Sequence, residues 1–311
     1  MIQMKSKGYW EKRQRDREKK VYKTTIQAEK ALKIEMVKAQ EKILANINNL
    51  IGKYMSETGL SYSEAQKKLN SNEYKVWRKD IEGYLKELKQ YKNINPEKYK
   101  EIKLELETLA TRSKVSRLES LVIQTNQVIN KQKFEEEKEV ANYVKGVYKT
   151  TFESFQTDIG KKGVNTILPL NQIERAMQYP WSGENFSERI WNNRDKLSRV
   201  LKTEITQSLI QGVNPQKLNK RIREQMGSGY KETQRLVRTE LNYALNEATK
   251  IAYEEDEIEE YEFLAEIDNR TSAICKELNG QIFKVKDAVV GVNYPSMHPN
   301  CRSTTMPVIE F

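Results

Sequence analysis

Two cysteines and one histidine near the C-terminus are the residues whose types and spacing best suit chemistry. Cys275, His298 and Cys301 are the only cysteine and histidine residues of the chain, and all three lie in its last 37 residues. His298 and Cys301 are separated by two residues, a spacing that lets a tight turn present two side chains to one point. With Asp268 or a water molecule as fourth ligand, the set predicts a structural zinc site, although most such sites have four Cys/His ligands.

Three other arrangements of the same residues stay open. The first is a hydrogen-bonded knot without metal, in which the thiols are buried and His298 bonds to Asp268 or to backbone. The second is a disulfide between Cys275 and Cys301, which would close a 27-residue loop and stabilise the chain by roughly 3–4 kcal/mol. The third is a catalytic Cys301–His298 pair, which would need an environment that favours the thiolate, and Arg302 is the nearest base in the sequence.

Motifs of the common enzyme classes are missing from the sequence. It has no GxxxxGK[ST] phosphate loop, no GxGxxG dinucleotide motif and no GxSxG nucleophile elbow. A Ser/His/Asp triad could use only His298, and no sequence motif identifies a serine as its nucleophile. We therefore expect the protein not to be an enzyme.

The N-terminal segment is strongly basic. Residues 5–20 contain eight basic and three acidic side chains, which is half of the net charge of +10. A basic segment can neutralise DNA phosphates, and the other interpretation is a solvated helix start that keeps the protein in solution. The candidate DNA-binding residues are Lys12, Arg13, Arg15, Arg17, Lys19 and Lys20.

Long helices must position most of these residues, because the composition is rich in charged helix formers and contains only 13 Gly and 7 Pro. Apolar residues at steps of three and four predict a helix over residues 21–54. A second long helical run from Pro96 to about Ile159 could break near residues 131–134, and Gly227 is expected to end a helix that begins at Pro215. The segments 261–267 and 281–285 alternate like strands, and Asn279-Gly280 between them predicts a hairpin.

The resulting fold prediction is mainly α, with an elongated helical N-terminal part and a compact C-terminal α+β domain that has a small β-hairpin region. We expect a basic arm over residues 1–20, an elongated α-helical domain over residues 21–160 and a C-terminal domain over residues 161–311. The chain has no apolar run long enough for a transmembrane helix, and its N-terminus lacks the apolar core of a secretory signal. We therefore expect it in a cytoplasm.

Four stretches of the C-terminal half follow one another in an order and spacing that is specific when they are taken together. They are Arg189-Ile190-Trp191 leading into a helix that ends at Gly212; Leu236-Val237-Arg238-Thr239-Glu240 with Asn242 and Ala244; Asp268-Asn269-Arg270-Thr271 with Cys275, Leu278, Asn279 and Gly280; and Tyr294-Pro295-Ser296-Met297-His298-Pro299-Asn300-Cys301-Arg302. About residues 165–311 thus resemble the phage head morphogenesis family, the minor head (minor capsid) proteins of tailed phages related to the F protein of phage Mu.

Two positions depart from the pattern of that family. Many relatives have a proline where Ser296 stands, and some have a cysteine where Ser272 stands, which would complete a four-ligand zinc set. Within the shared motif, Arg238 and Glu240 are expected either to form an ion pair that braces the domain or to be ordinary surface charges. Arg270, Gly280 and Arg302 are the further structural positions of the motif.

The resemblance implies a virion component present in few copies near the portal vertex, which acts in procapsid assembly and in handling packaged DNA. Its implied partners are the portal protein, scaffold and major capsid proteins, and double-stranded DNA, with no membrane. The alternative function is a DNA-binding protein that accompanies or protects the ejected genome. A more remote alternative is an enzyme or toxin-related protein, because members of the family are sometimes fused to toxin domains.

Overall fold

The computed structural model describes residues 5–61, 64–65, 74–75, 78–110, 115–161 and 167–309. In these residues the chain is mainly helical, with two small antiparallel sheets. The helices are α1 (Lys7–Thr58), α2 (Arg78–Leu88), α3 (Pro96–Ala110), α4 (Arg117–Asp158), α5 (Leu170–Gln178), α6 (Phe186–Ile210), α7 (Pro215–Glu255) and α8 (Ala273–Leu278). The strands are β1 (Tyr74–Lys75), β2 (Val115–Ser116), β3 (Glu260–Leu264), β4 (Ile282–Lys284) and β5 (Thr304–Val308).

Helix α1 confirms the predicted helix over residues 21–54 and begins earlier, at Lys7. Most of the basic segment therefore forms the first turns of this helix. Trp10, Gln14 and Arg17 are buried at steps of four and three, and they continue the buried stripe that Val21 carries onward. The apolar pattern of the sequence did not predict this continuation, because glutamine and arginine are rarely core residues.

The chain packs into two compact units, each made from separated stretches of sequence. Unit 1 contains residues 1–31, 139–189 and 233–311, and unit 2 contains residues 32–138 and 190–232. The core of unit 2 includes a stack of Tyr91 on Phe134, with ring centroids 4.9 Å apart. The domain boundaries predicted after residues 20 and 160 both fall inside unit 1, and they stay a prediction about folding domains.

Two predicted helix breaks are continuous helix in the structure. Residues 131–134 lie inside α4, where Phe134 is fully buried and core packing holds the helix together. Helix α7 runs straight through Gly227 and Gly229. A Cβ atom on Gly229 would lie 3.0 Å from side-chain atoms of both Arg194 and Leu197. That glycine therefore permits close packing of α7 on α6 rather than ending the helix.

The C-terminal sheet has the strand order β4–β3–β5, and both pairs are antiparallel. The predicted pairing of β3 with β4 is confirmed, but Asn279-Gly280 is not a two-residue hairpin turn, because α8 lies between the two strands. Gly280 has a positive φ of 83° and its N–H donates to the carbonyl of Phe263 at 2.8 Å, which starts the ladder. Strand β5 was not predicted.

No helix in the described ranges is both long enough and apolar enough to cross a lipid bilayer.

Candidate metal centre and basic helix face

The two cysteines lie in an apolar cluster beside the C-terminal sheet. Cys275 is 2% exposed and Cys301 is 3% exposed. They pack with Phe263 of β3 and with Ala265, which directly follows that strand. Cys275 comes from α8, and Cys301 comes from the segment that leads into β5. The sheet and the short helix thus bring together two thiols that are 26 residues apart in sequence.

Ser272 is the N-cap of α8 and fixes the direction of Cys275. The Ser272 hydroxyl oxygen accepts the backbone N–H of Cys275 at 3.3 Å, which satisfies one of the free donors of the first helical turn. The same oxygen lies 2.9 Å from His298 Nε2. Because the cap interaction uses the oxygen as acceptor, its own hydrogen can be donated to the histidine ring.

A tight turn presents His298 and Cys301 to the same point, as their spacing predicts. The Cys301 N–H donates to the His298 carbonyl at 3.1 Å, and Asn300 has the positive φ of 60° that asparagine tolerates in turns. His298 Nδ1 lies 3.0 Å from the carbonyl oxygen of Pro299. Since a carbonyl can only accept, Nδ1 carries the proton and the lone pair of the neutral ring is on Nε2.

Three ligand atoms therefore converge. Cys275 Sγ lies 3.4 Å from His298 Nε2 and 4.0 Å from Cys301 Sγ, and the three atoms lie within 4.8 Å of one another. Both cysteines are free thiols. The hydrogen bond between the two thiols lowers the pKa of the Cys275 thiol, while that bond and burial raise the pKa of Cys301.

Asp268 is not part of this group. Its two carboxylate oxygens accept from both terminal nitrogens of Arg302, at 2.8 and 2.5 Å, and Oδ1 also accepts the backbone N–H of Arg270 at 2.8 Å. These bonds hold the pKa of the Asp268 carboxyl well below its usual range. The candidate fourth ligand is thus a brace that fixes the loop before α8, and Arg302, the candidate basic neighbour of a catalytic thiol, is bound to it.

Arg238 and Glu240 have separate partners rather than each other. Arg238 pairs with Glu29 of α1, with its Nε 2.5 Å from Oε1. Glu240 is buried and pairs with Arg189 at 2.9 Å, and burial raises its pKa to about 7 although the arginine opposes the shift. Residues two positions apart on a helix do not face each other, which is why the predicted pair does not form.

The basic start of α1 contains two kinds of side chain. Arg13 Nε donates to Asp158 at 2.7 Å, Arg17 is buried and pairs with the same carboxylate, and Arg15 pairs with Glu266 at 2.9 Å. Three of the six candidate DNA-binding residues therefore hold unit 1 together.

Lys12, Lys19 and Lys20 are exposed. Lys12 and Lys19 share a helix face with Lys23 and Lys30, because spacings of seven, four and seven residues return to one side of an α-helix. All four are exposed, and within the described part of the chain none of them has an ion-pair partner. We call these four residues the lysine face; Asp16 is an exposed carboxylate close to it.

Two asparagines anchor the His298–Cys301 turn to α7: the sequence motif included Asn242 without a role, and sequence reasoning missed Asn246. Asn242 and Asn246 both donate to the Ser303 carbonyl, at 3.2 and 3.1 Å, and Ser296 donates to the side-chain oxygen of Asn242 at 2.5 Å. Two asparagines four residues apart in the otherwise apolar run of α7 were the available signal, because buried amides require partners.

Comparison with known proteins gives one match. Residues 199–306 match the family model described as phage Mu protein F like protein, whereas no curated protein and no solved structure matches the chain significantly. The matched segment is about a third of the chain and contains α7, β3, β4, the first residues of β5 and the Cys/His cluster. Residues 199–306 are thus a Mu F-like segment, as the sequence resemblance predicted, which is consistent with a phage head morphogenesis protein.

Proposed function

We propose that this chain is a structural minor head protein of a tailed phage, which associates with the portal protein and handles packaged DNA. The observation that carries the proposal is the match of residues 199–306 to the phage Mu protein F like family. That match indicates a head morphogenesis role in the virion, in contact with other head proteins. A structural role also agrees with a sequence that lacks the common catalytic motifs.

The lysine face supports the DNA-handling part of the proposal. Its four ammonium groups extend over about 27 Å of helix, from 18 residues at 1.5 Å each. Four phosphate contacts predict that the logarithm of the binding constant falls with the logarithm of salt concentration at a slope of about −3.6. Arg17 does not contribute to this salt dependence, because it already has a partner in Asp158.

The portal contact is tested by capture of purified chain on immobilised cognate portal protein. Deletion of residues 1–20 would remove Trp10 and Arg17 from the core of unit 1, so substitutions are the cleaner tool. We expect the intact chain to be captured as well as a variant in which all four residues of the lysine face are converted to glutamine. If neither is captured while the intact chain still binds DNA, the result would instead favour the alternative function, a DNA-binding protein that accompanies or protects the ejected genome.

The DNA contact is tested by measuring binding to a duplex of arbitrary sequence between 50 and 200 mM salt. Conversion of all four residues of the lysine face to glutamine should reduce the slope by about 0.9 per lysine. The matched control converts Lys86, Lys89, Lys92 and Lys100, which are four exposed lysines of unit 2, and changes the net charge equally. Equal losses in the two variants would show that only net charge matters and would reject the lysine face.

A further inference from the structure

Two of the separations between ligand atoms in the Cys/His cluster match those of a tetrahedral zinc site. With Zn–S distances of about 2.3 Å and a Zn–N distance of about 2.05 Å, tetrahedral angles place two sulfurs about 3.8 Å apart and a sulfur and a nitrogen about 3.6 Å apart. The corresponding distances here are 4.0 Å between Cys275 and Cys301 and 3.4 Å between Cys275 and His298. Both distances lie within about 0.2 Å of the tetrahedral values. The third pair of ligand atoms, Cys301 Sγ and His298 Nε2, lies within 4.8 Å.

The histidine is also prepared for this role. Its Nδ1–H is fixed on the Pro299 carbonyl, which is the arrangement that metal-binding histidines adopt, because it leaves the Nε2 lone pair free for the ion. In the described part of the chain, the Nε2 contacts are the Ser272 hydroxyl and the Cys275 thiol. Arg302, the base next to Cys301 in the sequence, is held by Asp268 instead.

We propose that Cys275, His298 and Cys301 bind one Zn²⁺ per chain, with a water molecule beside Ser272 in the fourth position. Binding releases both thiol protons to solvent, so that two thiolates neutralise the ion. The Ser272 hydroxyl then turns its hydrogen from His298 Nε2 to the bound water. The site is structural, because the ion would join α8 to the turn that precedes β5, and its existence does not depend on the proposed role in the phage head.

Ser272 makes the proposal testable by a gain of binding. Ser272→Cys adds a fourth soft ligand at the position whose oxygen lies 2.9 Å from His298 Nε2. Ser228→Cys, at an exposed position of α7, adds a thiol outside the cluster and is the matched control. Because neither variant removes a ligand, the test does not depend on a chain that fails to fold.

The experiment is a Zn²⁺ titration of the reduced, metal-free chain against a competing chromophoric chelator, in a phosphine reductant that keeps both thiols free. We expect one Zn²⁺ per wild-type chain and binding at least about tenfold tighter in Ser272→Cys. Ser228→Cys should match wild type, and Cys301→Ser should bind much more weakly. Cobalt(II) substituted for zinc should give the absorption bands of a tetrahedral thiolate site.

Two results would overturn the proposal. One is that the wild-type chain shows no saturable binding at one ion per chain, even if Ser272→Cys binds zinc. Three ligands would then be too few in this protein, and the wild-type cluster would be a hydrogen-bonded knot without metal. The other is equal affinity of Ser272→Cys and Ser228→Cys, because the fourth position would then not lie at Ser272.

Discussion

Unit 1 contains two centres of polar side chains that differ in how their groups are paired. At the start of α1, Arg17 and Asp158 are both buried, and each charge finds its counter-charge within the chain. At the C-terminal sheet, two thiols and the His298 ring bring three ligand atoms within 4.8 Å of one another. The first centre is complete as built, whereas we propose that the second is completed by a bound Zn²⁺.

The comparison teaches that charge and residue rarity carry different information. Lysine and arginine are abundant in this sequence, so their positions alone could not separate the buried Arg17 from the exposed Lys19. Cysteine and histidine are so rare here that their concentration at one end predicted a shared site, and the structure brings all three together.

The largest expected effect lies at the complete centre. Asp158→Ala leaves the Arg17 guanidinium buried without its carboxylate and also removes an acceptor from Arg13 and Tyr9. We expect the free energy of unfolding, measured by urea denaturation, to fall by about 3–5 kcal/mol. The control is Asp16→Ala, at an exposed position of α1 next to Arg17. It should change the free energy of unfolding by less than about 0.5 kcal/mol. Similar values for the two variants would mean that the Arg17 pair is not a buried centre.

The next effect distinguishes the second centre from the first. If Zn²⁺ binds only the folded chain, a free concentration 100 times the dissociation constant should stabilise wild type by about 2.7 kcal/mol relative to chelated protein. Cys301→Ser should show little of this stabilisation, whereas Asp158→Ala, although less stable, should keep the same increment. An increment that follows Asp158 instead of Cys301 would contradict the assignment.

A smaller effect concerns Glu240, which pairs with a single arginine and has its pKa raised by burial to about 7. The folded chain then holds a proton that the unfolded chain releases near pH 4.5, so this group makes stability fall as the pH rises from about 4.5 to 7. Urea denaturation at pH 5 and pH 7 should show that Glu240→Gln removes roughly 2 kcal/mol of this fall. Glu18 shifts in the same direction, so only the difference between wild type and variant is diagnostic. An unchanged fall in Glu240→Gln would show that the carboxyl is ionised in both states.

Much of the fold follows from local patterns in the sequence. The stripe of α1 and the pairing of β3 with β4 were predictable because each depends on the periodicity of nearby residues. Strand β5 was not, because its partner lies about forty residues earlier and its five residues lack polar alternation. The passage of α7 through Gly229 was not predictable either, since it depends on the approach of Arg194 and Leu197.

The candidate site divides in the same way. Residue type predicted Cys275, His298 and Cys301, but it also suggested Asp268, whose carboxylate is turned to Arg302 in the folded chain. The family resemblance pointed to Ser272, but residue type alone could not place it beside His298, because that place depends on the helix cap and on the turn together. Contacts of this kind combine two local structures, and the sequence shows each of them only separately.

The contrast between the two centres is tested most directly by native mass spectrometry of the purified, reduced chain after incubation with one equivalent of Zn²⁺. We predict the mass of the chain with one zinc ion and two protons fewer, and the metal-free mass for Cys301→Ser under identical conditions. A wild-type chain that stays at its metal-free mass would contradict the account.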